Sequence, residues 1–243
     1  VILSIDFLPG IGLNLGALVG FACHLAWHVL DGADGDLARR TGKSSPSGEI
    51  VDGVCDYLAH IVVYAVFAWM LTPLMGGWAW TLAAAAGLTR AIVANHYEST
   101  RRTYLWWIYD LGWIRQTMAE GSPAERRRGL TAALARSYLA VSSLVSAEDP
   151  ELERLRAALI GSPKAAQARA LYAEAHRPLV KRASWLGALH ETQAIFVSML
   201  AGSPIFFFVY ELVLLNGVML WSIAAQRRAN AALKPKLAAL LAR

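Results

Sequence analysis

Asp31-Gly-Ala-Asp34-Gly35-Asp-Leu-Ala38-Arg39, then eight residues, then Gly48-Glu-Ile-Val-Asp52-Gly-Val-Cys-Asp56 is the stretch that decides how this chain is read. Apolar runs long enough to span a bilayer flank it on both sides. Ionisable groups in hydrocarbon cost several kcal/mol each unless paired, wetted or bound to metal. Asp31 and Asp34 are three residues apart, and Asp52 and Asp56 are four apart, so each pair shares one face of its helix. Between the two halves, Gly42 and Pro46 break the helical pattern and predict a turn. A helix, a turn and a helix bring the carboxylate pairs face to face. Four converging like charges force protonation or a counter-cation. With oxygen ligands only, the cation is hard: Mg²⁺ first, then Mn²⁺ or Ca²⁺. Mg²⁺ fills its remaining positions with water and substrate phosphate. A phosphate-bearing substrate is therefore expected.

The pattern D-x2-D-G-x2-A-R-x8-G-x3-D-x3-D, matched at all eight specified positions, resembles the signature of the CDP-alcohol phosphotransferases, a family of integral membrane enzymes. The resemblance implies a di-metal site of Asp31, Asp34, Asp52 and Asp56 gripping a CDP pyrophosphate. It implies nucleotide contacts from Asp31, Asp34, Gly35, Ala38, Arg39 and Gly48. It also implies attack by an acceptor hydroxyl on the phosphate distal to cytidine, with CMP leaving and Asp56 as the general base. A homodimer is a further expectation from the family. The competing readings are an acidic hairpin around a structural cation and a divalent-cation transporter. The transporter gives Gly35, Ala38, Arg39 and Gly48 no role.

Composition supports the membrane class. The chain has 243 residues, of which 56% are apolar, and its mean hydropathy is positive; a soluble domain of this length needs less apolar content. The net charge of +5 reports orientation before it reports a partner, and no basic-aromatic module points to nucleic acid. Cys23 and Cys55 lie in or beside apolar helices and read as small hydrophobes rather than a disulfide framework.

The predicted fold is all-α, a polytopic transmembrane bundle with a cytoplasmic helical insertion. Residues 1–97 carry transmembrane helices and the motif, 98–187 form the cytoplasmic or interfacial insertion, 188–226 return to the membrane, and 227–243 are a basic tail. Spans are expected at about 11–30, 48–74, 78–96, 186–200 and 205–225, against roughly twenty residues needed to cross the hydrocarbon. Gly12, Gly16 and Gly20 form a small-residue row suited to close helix approach. The His24/His28 pair has zinc-ligand spacing without a third partner in sequence, so it reads as packing or support around the site. His60 reads as a neighbour of the site. Arg90 is either a cleft-facing anion contact or a snorkelling cation; with Arg101 and Arg102 it forms the candidate set for a phosphate on the acceptor. His190, Glu191 and Gln193 stand at the site's end of their span, whereas Glu211 reads as a helix–helix hydrogen-bonding residue.

In the insertion, Ser122-Pro123-Ala-Glu125, Asp149-Pro150 and Ser162-Pro163 predict helix starts. Trp106, Trp107 and Trp113 are expected at the membrane interface. Connections 73–77 and 201–204 carry no charge, while 39–43, 97–187 and the tail carry nearly all Lys and Arg. The second group is therefore cytoplasmic, and with it the carboxylate site, in a bacterial inner membrane. Five spans leave the N-terminus outside; the family's usual six would need a helix upstream of Val1. The expected donor is CDP-diacylglycerol, because a site at the interface suits a donor with two acyl chains. The reverse pairing, a soluble CDP-alcohol with a lipid acceptor, uses the same motif.

Overall fold

The computed structural model describes residues 15–41, 46–110, 145 and 149–242, with backbone alone at 15, 35, 36, 38, 39, 46–54, 56 and 57. The described chain is helical: α1 (Leu15–Arg40), α2 (Pro46–Met75), α3 (Trp78–Tyr109), α4 (Pro150–Ile160), α5 (Ala165–Ala183), α6 (Ala188–Leu200), α7 (Ile205–Val209) and α8 (Asn216–Ala242). A π-helical segment, Tyr210–Leu215, joins α7 to α8. No strand occurs among the described residues. Among the described residues, two helices are long and apolar enough to cross a membrane: α2, through Leu58–Met75, and the helix running from Ile205 to Ala242. At 13 residues, α6 is about 20 Å long, short of the roughly 30 Å hydrocarbon core. The expected start of its span at 186 falls instead in a 3₁₀ turn, Ser184–Leu186.

The chain divides into two compact units, residues 1–90 with 188–214, and residues 91–187 with 215–243. In the first, α1 packs on α6, with Phe21 stacked on Phe196 at 4.3 Å. The core gathers Tyr64, Phe67, Ala68 and Leu71 of α2 with Ala79, Ala83 and Ala86 of α3 and Phe207 and Phe208. Alanines every third or fourth residue give α3 the flat face against which those rings lie. α2 runs on to Met75, past Pro73, so the turn before α3 is only Gly76-Gly77. Gly76 adopts φ +56° and its amide donates to Thr72 O, a left-handed helix end that glycine takes without Cβ strain. Between α6 and α7, Ser198 Oγ donates to Ser203 O and accepts from Phe207 N.

The second unit holds its own core, in which Trp106 and Trp107 of α3 meet Leu152, Leu159, Tyr172, Leu233 and Leu237. Trp107, Tyr172 and His176 stack in series, with centroids 4.2 Å and 4.0 Å apart. Trp106 and Trp107 are therefore core residues rather than an interfacial belt, because α4, α5 and α8 bury them; Trp113 lies outside the described residues. The expected basic tail is likewise the end of α8: Leu233, Leu237 and Leu240 form one buried helical face. Arg156 closes the end of α3. Its guanidinium donates to Trp106 O, pairs with Asp110 and lies 3.7 Å from the Trp106 ring centroid.

Asp149 caps α4 as the sequence predicts, accepting from Glu151 N and Leu152 N with Pro150 in the first turn. Burial alone would raise the Asp149 carboxyl, but Lys234 and those amides outweigh it and hold it below the usual range. Ser162 is not the cap of α5. The helix starts at Ala165, and Ser162 Oγ instead donates to Leu159 O and accepts from Lys164 N. The Ser122–Glu125 start lies outside the described residues.

Candidate active site

The motif occupies the end of α1 and the start of α2. α1 is helical throughout Asp31–Arg40, so Asp31 and Asp34 lie one turn apart on a shared face. The helix ends at Thr41, whose hydroxyl donates to Leu37 O. α2 begins at Pro46, two residues before the expected start. Proline suits the first helical position, where its missing N–H leaves no bond unmade. Asp52 and Asp56 thus lie on helical backbone at the spacing that puts both on one face. Asp34 is exposed and Asp31 partly buried.

The side chains of Gly35, Ala38, Arg39, Gly48, Asp52 and Asp56 lie outside the described residues. Among the described residues no three His, Cys, Asp or Glu side chains stand close enough to hold a metal ion. The zinc reading of His24 and His28 therefore finds no third ligand there. The chemistry of the motif donors, carboxylate oxygens alone, two of them open to solvent or partly so, fits a hydrated hard cation.

One turn beyond Asp56, a polar network ties α2, α3 and α6 together. Arg90 of α3 donates to Glu191 Oε2 of α6 at 2.8 Å, and His60 Nε2 of α2 reaches the same oxygen at 3.3 Å. Glu191 and Arg90 are both buried. Arg90 thus does not snorkel: a guanidinium at that depth is offset by an acid from a neighbouring helix. The imidazoles of α1 complete this layer. His28 Nε2 pairs with Thr192 Oγ1 at 2.8 Å, His24 stacks on His28 at 5.0 Å, and Trp27 turns its edge to His60.

Glu211, in the π segment, is fully buried, with Tyr64, Arg90 and Glu191 as its charged and polar neighbours, in line with a helix–helix role. Arg101 and Arg102 both pair with Glu98, through Arg101 Nη1 at 3.3 Å and Arg102 Nε at 2.6 Å. They belong to the second unit, whereas Arg90 and the motif belong to the first. Sequence reading placed Glu191 beside the site but missed its pairing. Its signal was an acid and an arginine on separate apolar helices, each needing an opposite charge.

Gly16 and Gly20 do not serve close helix approach in the expected way at both positions. A Cβ on Gly20 would meet nothing within 4 Å, because both glycines line a cavity of about 360 Å³ between α1, α2 and α6.

Comparison with curated proteins and with solved structures gives no match. The family model for CDP-alcohol phosphatidyltransferase matches residues 7–118, a segment that contains every position of the motif and runs past the end of α3. Residues 7–118 are thereby identified as a CDP-alcohol phosphatidyltransferase domain.

Proposed function

We propose that the protein transfers a phosphatidyl group from CDP-diacylglycerol to the hydroxyl of an acceptor alcohol, releasing CMP, in phospholipid biosynthesis. The CDP-alcohol phosphatidyltransferase domain implies transfer of a phosphate-linked alcohol from a CDP-alcohol. The single observation behind the finer reading is the unbroken motif across the end of α1 and the start of the apolar helix α2. A site at that level suits a donor anchored by acyl chains.

In this reading Asp31, Asp34, Asp52 and Asp56 hold two divalent cations, Mg²⁺ or Mn²⁺, which when bound neutralise pyrophosphate charge. Gly35, Ala38 and Gly48 leave room for the nucleotide, and Arg39 donates its fork of N–H groups to phosphate oxygens. Asp56 takes the proton of the acceptor hydroxyl as that oxygen attacks the phosphorus distal to cytidine. The bond from that phosphorus to the bridging oxygen breaks, and CMP leaves with the electron pair. Arg90, Arg101 and Arg102 remain the candidates for an acceptor phosphate; the Glu191 bond fixes the Arg90 guanidinium in place. The site faces the cytoplasm of a bacterial inner membrane, and the working form is a homodimer.

The test is to incubate the full chain with Mg²⁺ and radiolabelled CDP-diacylglycerol against a panel of alcohols. A new phospholipid with stoichiometric CMP supports the proposal. Product formed only from a soluble CDP-alcohol and diacylglycerol reverses the lipid assignment, and no CMP from either pairing overturns the reaction.

A further inference from the structure

The cavity between α1, α2 and α6 has a polar end and an apolar body, and its polarity runs the same way on all three helices. On α2, Ala59 and His60 stand nearest the motif, and Val63, Val66 and Phe67 follow. On α6, Glu191 and Thr192 come first, then Ile195, Phe196 and Met199. On α1, which runs the other way, His24 and Trp27 lie toward Asp31, and Gly20, Ala17 and Gly16 lie away from it. The lining spans about 12 Å along α2 and α6 and about 16 Å along α1 at 1.5 Å per residue. That matches one leaflet, half of a hydrocarbon core of about 30 Å. Its volume of about 360 Å³ lies within the ligand-pocket range of about 300–1,000 Å³.

Two further features mark a built site rather than a packing gap. Gly20 withholds a side chain where a Cβ would meet only open space. Glu191 Oε1 is buried without a hydrogen-bond partner among the described residues, at the cavity end where an occupant or its water brings a donor. A polyol does not fit walls made of valine, phenylalanine and methionine. An apolar chain entering from the motif does.

We propose that this cavity takes one acyl chain of the lipid substrate and limits its length. The inference rests on the transfer reading for the identity of the lipid, and its test separates the two. Gly20→Leu fills the cavity in open space and replaces a poor helix former with a good one. Turnover of dioleoyl over dioctanoyl CDP-diacylglycerol falls about tenfold in this variant, the effect of excluding about two methylenes. Gly20→Ala leaves the preference near that of the wild type. Equal loss on both chain lengths, or no change in preference, overturns the proposal.

A second measurement does not depend on turnover. Cys23 lines the cavity and is exposed. Its alkylation by an apolar maleimide is followed by peptide mass spectrometry in the presence of CDP-diacylglycerol, diacylglycerol, CDP or phosphatidylcholine. CDP-diacylglycerol protects Cys23 if the donor supplies the chain, and diacylglycerol does so if the acceptor supplies it. Protection by CDP alone, equal protection by phosphatidylcholine, or none from any lipid overturns the chain site. Protection by CDP-diacylglycerol without CMP release to any alcohol keeps the chain site and removes the transfer reaction. Turnover without protection or length preference does the reverse.

Discussion

Removing the negative charge of Glu191 tests whether the buried network holds the first unit together. Glu191 Oε2 receives both Arg90 Nη2 at 2.8 Å and His60 Nε2 at 3.3 Å, and the side chains of Glu191 and Arg90 are only 3% and 10% exposed. Water therefore does little to screen the pair. Glu191→Gln keeps the shape but removes the charge that the buried Arg90 guanidinium meets at 2.8 Å, a change that costs about 3–5 kcal/mol. At about 2–4 °C per kcal/mol for a chain of this size, the midpoint falls by about 6–20 °C. The assay is thermal unfolding of the detergent-solubilised full chain, with Arg90→Met and the double variant completing a cycle. The double variant should be more stable than the sum of the two losses predicts, because neither member of the Arg90–Glu191 pair is left facing the gap of the other. An unchanged midpoint in Glu191→Gln, or strict additivity in the cycle, would refute the reasoning.

Asp56→Asn should lower turnover about a hundredfold or more, the scale of lost general-base catalysis, with a smaller loss of donor binding. Asp52→Asn should instead lose donor affinity and recover at raised Mg²⁺, and excess EDTA should stop CMP release; the two effects are separated by measuring donor binding apart from rate. Burial lowers the His176 imidazole below its ordinary 6.5, so the folded state binds fewer protons there than the unfolded one. The stability contribution is full above about 6.5 and is lost as pH falls toward the depressed native value; a wild-type unfolding midpoint that does not fall on acidification, or His176→Phe falling just as steeply, counts against this. In a chain whose own cysteines are replaced, Gly77→Cys should be labelled from outside and Glu174→Cys from the cytoplasm, and the opposite pattern would overturn the orientation.

The sequence by itself determined the all-helical class of the protein and carried the family motif. Helical spacing alone pairs Asp31 with Asp34 and Asp52 with Asp56, and apolar runs of bilayer length need no tertiary information to be seen. Local rules also sufficed for the Asp149-Pro150 cap, where a side chain bonds amides two and three residues on. Tertiary structure decided which apolar and charged residues meet. Trp106, Trp107 and the Leu233–Leu240 face read as interface and tail because their partners, such as Leu152 and Tyr172, are remote in sequence. Arg90 had two readings until a glutamate about a hundred positions away stood beside it. Gly20 carried the signal of close packing, yet three helices leave a space in front of it. A single sequence records how residues repeat along one helix; only the packed bundle decides whether the face they form meets a neighbour, a charge or a cavity.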